Sequence, residues 1–262
     1  DLPGQGRYIA IPQGAKANLN IVRMRVETID NVNIAPAPHI PFEDDDSPLK
    51  YEKDQSIYSK DAFYPAEPVA LSQPSKIRGV DVVMLGITPF QYNPVSKQLK
   101  VLRDIELEIT FEGGNGHFGE DRYRSRWWDP ILSSSILNSQ SLPEMDYTYV
   151  NPGVTENDEF EYIIITLNDP DFLDWANTIK EYREKQGITT GVVTTDDLGG
   201  NSVANIESYI DNAYNTWSTA PSAVLLLGDY GYGSTGIISH MFSHPASYPA
   251  FASDNKYADV NN

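Results

Sequence analysis

The run that decides the fold of this chain extends from Glu161 to Tyr230. It contains three apolar stretches, EYIIIT (161–166), GITTGVVTT (187–195) and SAVLLLGDY (222–230). Helix-like sequences separate them, so the order predicts a β-α-β-α-β unit whose parallel strands all end at one edge of a sheet. Ligands usually bind at that edge. We therefore expect a functional site near the strand-end carboxylates Asp196, Asp197 and Asp229.

The two helices of this unit carry start and stop signals. Asp169 is placed to cap the first helix with Pro170 following it, and Gly187 supplies its end. The second helix has Asn201 or Ser202 as its cap. Apolar residues recur every three or four positions in both helices: Phe172, Trp175, Ile179 and Tyr182 in the first, and Ile206, Ile210, Ala213 and Trp217 in the second. The strands are almost wholly apolar or β-branched, which predicts a sheet covered by helices on both faces.

The first 112 residues have a different pattern, in which apolar and polar residues alternate and no helix intervenes. The clearest alternating segments are 8–12, 20–30, 80–90 and 98–112. Such segments are typical of half-buried antiparallel strands, and together they predict a β-sandwich. The proline-rich and acidic segment 35–60 is expected to form a surface loop.

A polar, Pro- and Gly-marked stretch near Pro152–Glu159 marks the predicted domain boundary. We assign residues 1–154 to an antiparallel β-sandwich domain with its linker and residues 155–262 to the α/β segment. The fold class is therefore a two-domain α+β chain, in which the second part is a parallel βαβαβ unit.

Charge and composition restrict the possible partners. The net charge is −18 over 262 residues, and residues 155–262 alone hold 16 Asp/Glu against 4 Lys/Arg. Such a surface repels phosphate backbones, so nucleic acid is not an expected partner. No run approaches the roughly 20 apolar residues that span a bilayer. The absence of cysteine excludes disulfides, thiolate metal sites and a cysteine nucleophile within these residues.

Several short sequence patterns are compatible with a nucleotide or metal site, but each is weak evidence for one. GYGSTG (231–236) has the glycine spacing of a dinucleotide fingerprint but follows the third strand, so we interpret it as a loop. His240 and His244 have the spacing of a helical metal pair, yet Pro245 ends any helix there. An oxygen-rich cluster includes Asp254, Asn255, Asp259, Asn261 and Asn262, and suits a hard cation such as calcium as well as a solvated turn.

The one strongly basic and aromatic patch comprises Arg122, Arg124, Arg126, Trp127 and Trp128. It is compatible with pairing to the acidic α/β segment, sugar binding or proteolytic cleavage. The alternative is a partly buried connecting helix whose charges are solvated. No Gly-x-Ser-x-Gly elbow is present, so the residues alone define no complete catalytic apparatus.

Residues in both halves of the chain carry a family resemblance. In the second half they are Tyr162–Thr166, Trp175, Arg183, Gln186-Gly187, Ile206, Tyr209-Ile210, Tyr214, Leu226–Asp229, Ser253-Asp254 and Tyr257. In the first half they are Pro36–Pro38, Tyr64–Pro68, Arg78–Val80 and Pro89–Pro94. Through these residues the chain resembles the gingipain-type cysteine peptidases over nearly its whole length, and its two halves resemble, in order, the β-sandwich prodomain and the opening of the catalytic domain of that family.

This resemblance implies a secreted cysteine endopeptidase with a caspase-like α/β fold, made as a zymogen. The catalytic Cys and His of the family are expected after Asn262, so these residues would be inactive without the remaining C-terminal part of the catalytic domain. Peptide and protein substrates are the implied partners. The alternative hypothesis is a non-catalytic secretion or surface-assembly component that has the same fold.

Specific residue roles also follow from the resemblance. Arg122, Arg124 and Arg126 are candidates for blocking the substrate cleft or for processing by cleavage after a basic residue. Asp196 and Asp229 would be strand-end residues of the active-site face. Family members bind calcium after the segment that SDNKYADV (253–260) resembles, so Asp259 and the Val260 carbonyl are candidate calcium ligands. No organic cofactor is implied.

Overall fold

The structure is a computed structural model that describes residues 2–42, 46–147, 159–230, 235–243 and 250–260, with the backbone alone at Tyr230. The chain forms two compact units. The first contains Asp1–Gly119 and Leu132–Pro143, and the second contains Glu120–Ile131 and Glu144–Asn262. The predicted boundary at 154/155 lies outside the described residues. The structure places Glu120–Ile131 in the second unit although this segment precedes that boundary by more than 20 residues.

The first unit is built from antiparallel strands. They are β1 (Gln5–Ala10), β2 (Ala15–Ile29), β3 (Val69–Leu71), β4 (Ser75–Ile77), β5 (Val80–Ile87), β6 (Phe90–Asn93) and β7 (Gln98–Gly113). One sheet has the order β1-β5-β3, with β4 also paired to β5, and the other has the order β2-β7-β6. The unit also contains helix α1 (Gln55–Tyr58), a 3-10 turn at Ser139–Ser141 and the second half of helix α2 (Trp128–Ser135).

Apolar side chains from both sheets form the main core of the first unit. Ile9 of β1 and Val83 of β5 pack with Leu19 of β2 and Leu107 of β7. Alternate residues of a strand point to one face, so the alternating sequence pattern produces this single apolar layer. A second cluster packs Leu132 and Ile136 against Ala10, Val80 and Val82.

The predicted strand 80–90 is two strands in different sheets. β5 ends at Ile87 and β6 begins at Phe90, with Pro89 between them. Proline has no N–H to donate to a ladder, and its carbonyl instead accepts from Leu102 N at 2.9 Å. The apolar pattern continues through this crossing, which is why the sequence alone suggested one strand.

The second unit contains the predicted β-α-β-α-β order. Its elements are β8 (Tyr162–Thr166), α3 (Pro170–Lys185), β9 (Thr190–Thr194), α4 (Val203–Thr216) and β10 (Ala223–Leu227). The sheet is parallel with the order β10-β8-β9. All five residues of the central strand β8 are buried, whereas β9 and β10 are half-buried at its sides.

Helices cover this sheet on both faces, as predicted. Ile163 and Ile165 pack with Ile206 and Ile210 of α4 on one face. On the other face Ile164 packs with Ala176 of α3. Successive β8 residues point to opposite faces, so an unbroken apolar run is required where both faces are covered.

The start and stop signals of the helices are confirmed, but the apolar spacing in α3 does not mark its buried face, because Trp175 and Tyr182 are exposed and Ala176 is the buried residue. The Asp169 side chain accepts a hydrogen bond from Asp171 N at 3.0 Å, and Pro170 opens α3. Gly187 has φ +78°, the left-handed conformation that commonly ends a helix. Ser202, and not Asn201, caps α4, because Ser202 Oγ accepts from Asn205 N at 3.2 Å.

Short elements complete the second unit. They are a 3-10 turn (Asp121–Tyr123), β11 (Asp229–Tyr230), β12 (Gly236–Ile237), β13 (Met241–Phe242), β14 (Phe251–Ala252) and α5 (Asn255–Ala258). Helix α5 occupies part of the sequence that composition suggested was an oxygen-rich loop, and its Tyr257 is buried. Among the described residues, no helix has the length and apolar character needed to cross a membrane.

Candidate active site

The three parallel strands of the second unit end side by side. Thr166 at the end of β8 is in register with Thr194 of β9 and with Leu227 of β10. The residues that follow these strand ends therefore lie along one edge, which we call the carboxyl edge. Polar groups collect at this edge in parallel sheets because the strands themselves are apolar and each loop begins there.

Asp196 lies at the carboxyl edge and links two of the strand ends. Its Oδ2 accepts a hydrogen bond from Asn168 Nδ2 at 2.8 Å, and both residues are exposed. The sequence analysis named Asp196 but missed Asn168. Asn168 could have been found from its position in the sequence. It lies two residues after Thr166, just as Asp196 lies two residues after Thr194.

Asp197 has a structural role in the turn after β9. Its Oδ2 accepts from Thr194 Oγ1 at 2.6 Å and from Thr194 N at 2.9 Å. These two hydrogen bonds stabilise the ionised carboxylate, so they lower the pKa of Asp197 from its ordinary value. The carboxylate is thereby turned back toward Thr194 at the end of β9 and fixes the direction in which the chain leaves the sheet.

Asp229 begins the short strand β11 after β10. Its backbone N donates to Thr235 O at 2.8 Å, and its side chain is exposed. The close pairing requires glycine at position 228, where a Cβ would lie 2.9 Å from Ile237 Cγ1. The predicted carboxylates Asp196 and Asp229 thus both follow strands of the same sheet edge.

Asn201 has a different role from the one that the sequence suggested. It was considered as a helix cap, but its side chain binds the β12 backbone: Nδ2 donates to Gly236 O at 2.8 Å and Oδ1 accepts from Ile238 N at 3.1 Å. A primary amide can donate and accept at once, so it acts like a short strand beside β12. This contact has no local sequence signal because 35 residues separate the partners.

The histidine pair and the glycine-rich loop fall largely outside the described residues. His244 and residues 231–234 belong to that part, whereas His240 is described and its ring lies 4.5 Å from the Phe242 ring in an edge-to-face contact. Among the residues that the structure describes, no three His, Cys, Asp or Glu side chains are grouped as a metal site.

The two calcium candidates are next to a polar cluster on α4 and α5. The Val260 carbonyl accepts from Asn215 Nδ2 at 3.0 Å. Lys256 Nζ lies 2.5 Å from Glu207 Oε1, so a cation of the protein already occupies part of this acidic surface. Burial, with the neighbouring Glu207 charge, raises the pKa of Asp211.

The three candidate arginines lie in the second unit, and two of them, Arg122 and Arg126, bind helix ends away from the carboxyl edge. Arg122 donates to Tyr214 O and Trp217 O at the end of α4. Arg126 Nη1 lies 3.3 Å from Gln186 O at the end of α3. These helix ends precede the next strands of the sheet, so both arginines lie away from the carboxyl edge.

Arg124 is buried, with 7% of its surface exposed. Its guanidinium makes a two-bond pair with Asp129, through Nε to Oδ1 at 2.6 Å and Nη2 to Oδ2 at 2.9 Å. Tyr147 Oη donates to the same carboxylate at 2.8 Å. Burial first, and then this bond to an anion, raises the pKa of Tyr147.

Comparison with known proteins places both halves of the chain in one family. Residues 1–122 match the family Propeptide_C25, and residues 155–262 match Peptidase family C25. Together the two matches cover most of the chain in the order propeptide and peptidase. The chain belongs to the gingipain-type C25 peptidase family. It consists of the propeptide region and the N-terminal part of the peptidase region.

Relatives from Porphyromonas gingivalis agree with this assignment. Gingipain R2 is 26% identical over 239 residues, and Lys-gingipain is 25% identical over 242 residues; each alignment covers 87% of this chain. The alignments cover 30% and 14% of those two proteins. This chain therefore spans less than a third of the length of the relatives that it matches.

Two solved structures are also similar. A complex of the pro- and mature domains of Porphyromonas gingivalis RgpB matches with a TM-score of 0.45 and 25% identity, covering 53% of this chain and 71% of that one. A structure titled for the zymogenic latency of gingipain K matches with a TM-score of 0.36 and 26% identity, covering 43% and 65%.

Proposed function

We propose that the complete protein is a secreted cysteine endopeptidase made as a zymogen. The observation that carries this proposal is the pair of C25 matches, propeptide first and peptidase second, along a single chain. The gingipain relatives support peptide-bond hydrolysis as the reaction class. The absence of cysteine from residues 1–262 means that the nucleophile has to come from other residues of the protein.

The same proposal assigns a specific fold to each of the two units. We infer that the first unit is the β-sandwich prodomain and that the second is the opening of a caspase-like domain. Two antiparallel sheets with a shared apolar core support the first assignment, and a parallel three-stranded sheet between helices supports the second. In a domain of this kind the remaining strands would extend the sheet and complete the carboxyl edge.

The residues of this chain would support the site without performing its covalent chemistry. A cysteine peptidase supplies a thiolate that attacks the scissile carbonyl. Asp196 and Asn168 tie two strand ends together, and the Thr194–Asp197 turn fixes the direction of the following loop. Asp229 and its pairing to Thr235 position the segment after β10. We assign these groups to shaping the active-site face.

The proposed role of the arginines in inhibition or cleavage requires them to exchange partners. Arg122 and Arg126 bind backbone carbonyls at helix ends, and Arg124 is buried against Asp129. A guanidinium in a substrate cleft, or a peptide bond in a peptidase, has to be accessible. Of the three, Arg122 and Arg126 are the better candidates for such a role because they are partly exposed.

The experiment that tests the peptidase proposal uses the full-length natural protein after maturation. We expect hydrolysis of a denatured protein substrate that is lost after treatment with a thiol alkylator and kept after treatment with a serine-directed phosphonate. Mass spectrometry should locate the alkylated cysteine outside residues 1–262. A full-length protein that has no alkylation-sensitive activity would favour the non-catalytic surface-assembly alternative.

We also propose calcium as a structural ion near Asp259 and Val260. The described residues supply one carboxylate and one carbonyl there, which is fewer than the six to eight oxygens that calcium takes. Further ligands would have to come from elsewhere in the protein. An ion bound only by the folded protein must stabilise it, so calcium should raise the Tm of the full-length protein and Asp259→Ala should reduce that increase. An unchanged Tm after chelation would reject this proposal.

A further inference from the structure

The first unit contains a small cavity of about 220 Å³. Aliphatic and proline side chains form part of its wall: Leu2, Ile34, Pro36, Ile57 and Pro94. Pockets that bind drug-sized ligands measure roughly 300–1,000 Å³. This cavity therefore suits a small molecule or a single chemical group of a larger one.

Three tyrosines also line the cavity: Tyr58 of α1, Tyr64, and Tyr92 of β6. Tyr58 Oη donates to Ile34 O at 3.2 Å, and Tyr92 Oη donates to Val32 O at 3.1 Å. Two backbone hydrogen bonds join Tyr64 to Tyr92, at 2.9 Å from Tyr64 N and at 2.8 Å from Tyr92 N. Two of the rings and the backbone of the third are therefore fixed without a ligand.

Two carboxylates, Glu52 and Asp54, line the same cavity, and both residues are exposed. Asp54 Oδ1 accepts from Ser56 N at 2.8 Å and so caps α1. Hydrogen bonding with Ser56 stabilises the ionised form and lowers the pKa of Asp54. The cavity thus combines aromatic rings with negative charge.

Ammonium groups of the chain already lie against aromatic rings in this part of the first unit. Lys53 Nζ is 5.4 Å from the centroid of the Tyr58 ring. Lys100 Nζ is 3.8 Å from the centroid of the Phe63 ring, and Phe63 immediately precedes Tyr64. The face of an aromatic ring attracts a cation that lies within about 6 Å of its centroid. These two contacts show that the region accommodates positive charge beside its rings.

The lining of the cavity favours one class of cation. A primary ammonium has three N–H donors, each of which needs an acceptor when the group leaves water. A quaternary ammonium has no N–H and presents methyl groups to the aliphatic and proline wall. Its positive charge is attracted by the rings and by the carboxylates, whereas an anion would be repelled by Glu52 and Asp54.

We propose that this cavity binds a quaternary ammonium group of the kind found in choline. Tyr58, Tyr64 and Tyr92 supply the aromatic rings, and Glu52 and Asp54 balance the charge of the ligand. Binding is non-covalent. The same trimethylammonium group occurs in free choline and in the head group of phosphatidylcholine. All of the lining residues belong to the first unit, so the proposal does not rest on the proposed peptidase activity.

The test is calorimetric titration of the full-length natural protein with choline and with its uncharged isostere, in which carbon replaces the nitrogen, at constant ionic strength. We expect saturable binding of choline and about tenfold weaker binding of the isostere, because only the cation is attracted by the rings and carboxylates. Tyr64→Leu removes a ring and should weaken choline binding about fivefold, whereas Tyr64→Phe should keep it. The matched control is Tyr51→Leu, which removes an exposed tyrosine of the same region that does not line the cavity. Its affinity for choline should equal that of the unmodified protein.

Three results would overturn the proposal: no saturable binding of choline, equal affinity for the uncharged isostere, or a Tyr64→Leu variant that binds choline as well as the Tyr51→Leu control does. If Tyr64→Leu does not fold, the exposed Glu52 offers a milder change. Glu52→Gln should weaken the binding of choline and leave that of the isostere unchanged, and an unchanged affinity for choline would also reject the site.

Vesicles of phosphatidylcholine distinguish the two sources of the ligand. Co-sedimentation that free choline reverses would assign the site to a lipid head group. Binding of choline without co-sedimentation would assign it to a soluble ligand. Both results support a quaternary ammonium site, and a protein without peptidase activity would leave these outcomes unchanged.

Discussion

The two edges of the parallel sheet have the same three strands and opposite characters. At the amino edge, where these strands begin, the segment 120–131 contributes hydrogen bonds to helix ends and the half-buried rings of Trp127 and Trp128. At the carboxyl edge, Asn168, Asp196 and Asp229 are exposed. The comparison teaches that charged residues of one chain serve different purposes: those at the amino edge hold the fold together, and those at the carboxyl edge are available for a site.

The largest expected effect comes from removing the half-buried Asp129 carboxylate, which pairs with the buried Arg124 at the amino edge. Asp129→Ala should lower the free energy of unfolding by about 3 kcal/mol, because it leaves the Arg124 charge buried without its partner. The matched change at the carboxyl edge is Asp196→Ala. That residue is exposed, so we expect a change of less than about 0.5 kcal/mol. Urea unfolding of both variants measures the difference, and equal losses would remove the distinction between the edges.

A second prediction concerns the close packing of Gly191, the second residue of β9, against the Phe160 ring. A Cβ at Gly191 of β9 would lie 2.1 Å from the Phe160 ring, which would have to move. Gly191→Ala should cost about 1–3 kcal/mol through overpacking. Gly86→Ala is the control, because it is also a strand glycine and its nearest neighbour would be Ala70 O at 3.9 Å. Thermal unfolding should show a lower Tm for the first variant only.

The amino edge should also be sensitive to alkaline pH. Burial and the bond to Asp129 raise the pKa of Tyr147 in the folded state above its ordinary value of about 10. The stability from this group is therefore complete below pH 10 and is lost as the pH rises further. Tyr147→Phe should remove this part of the alkaline loss, as measured by urea unfolding between pH 8 and 11. An identical pH profile in the variant would contradict the assignment.

The smallest effect is expected at the carboxyl edge in acid. The Thr194 hydrogen bonds lower the pKa of Asp197 in the folded state, so its contribution is present above the unfolded value of about 4 and is lost as the pH falls below it. Asp197→Asn keeps an acceptor for Thr194 but cannot titrate. Its stability should consequently depend less on pH between 2 and 5. Because the group is exposed, we expect a small change that salt reduces further.

Local signals predicted much of the α/β unit. Asp169, Pro170 and Gly187 defined helix α3, and the spacing of Ile206, Ile210 and Ala213 identified the buried face of α4. These features depend on chain neighbours a few residues apart. The parallel direction of the strands was also predicted, because parallel strands require helical crossovers that the sequence contains.

Hydrogen bonds between residues that are far apart in the sequence could not be predicted from local patterns. Arg122, Arg124 and Arg126 formed a visible basic patch, yet the acceptors of Arg122 and Arg126 are backbone carbonyls 95 and 60 residues away. A carbonyl acceptor has no side-chain identity that a pattern can reveal. The same reason explains why Asn201 was considered a cap when it binds β12.

The sequence by itself determined the β-α-β-α-β run from Glu161 to Tyr230 and its burial, because hydrophobic periodicity and capping act over short distances. Only the tertiary structure decided which edge of that sheet each charged residue joins. Arg124 and Asp196 are similar in sequence terms, each a charged residue beside polar neighbours. Arg124 is buried in an ion pair with Asp129, whose carboxylate also accepts from Tyr147, whereas Asp196 remains exposed and accepts from Asn168, because folding covers the first position and not the second.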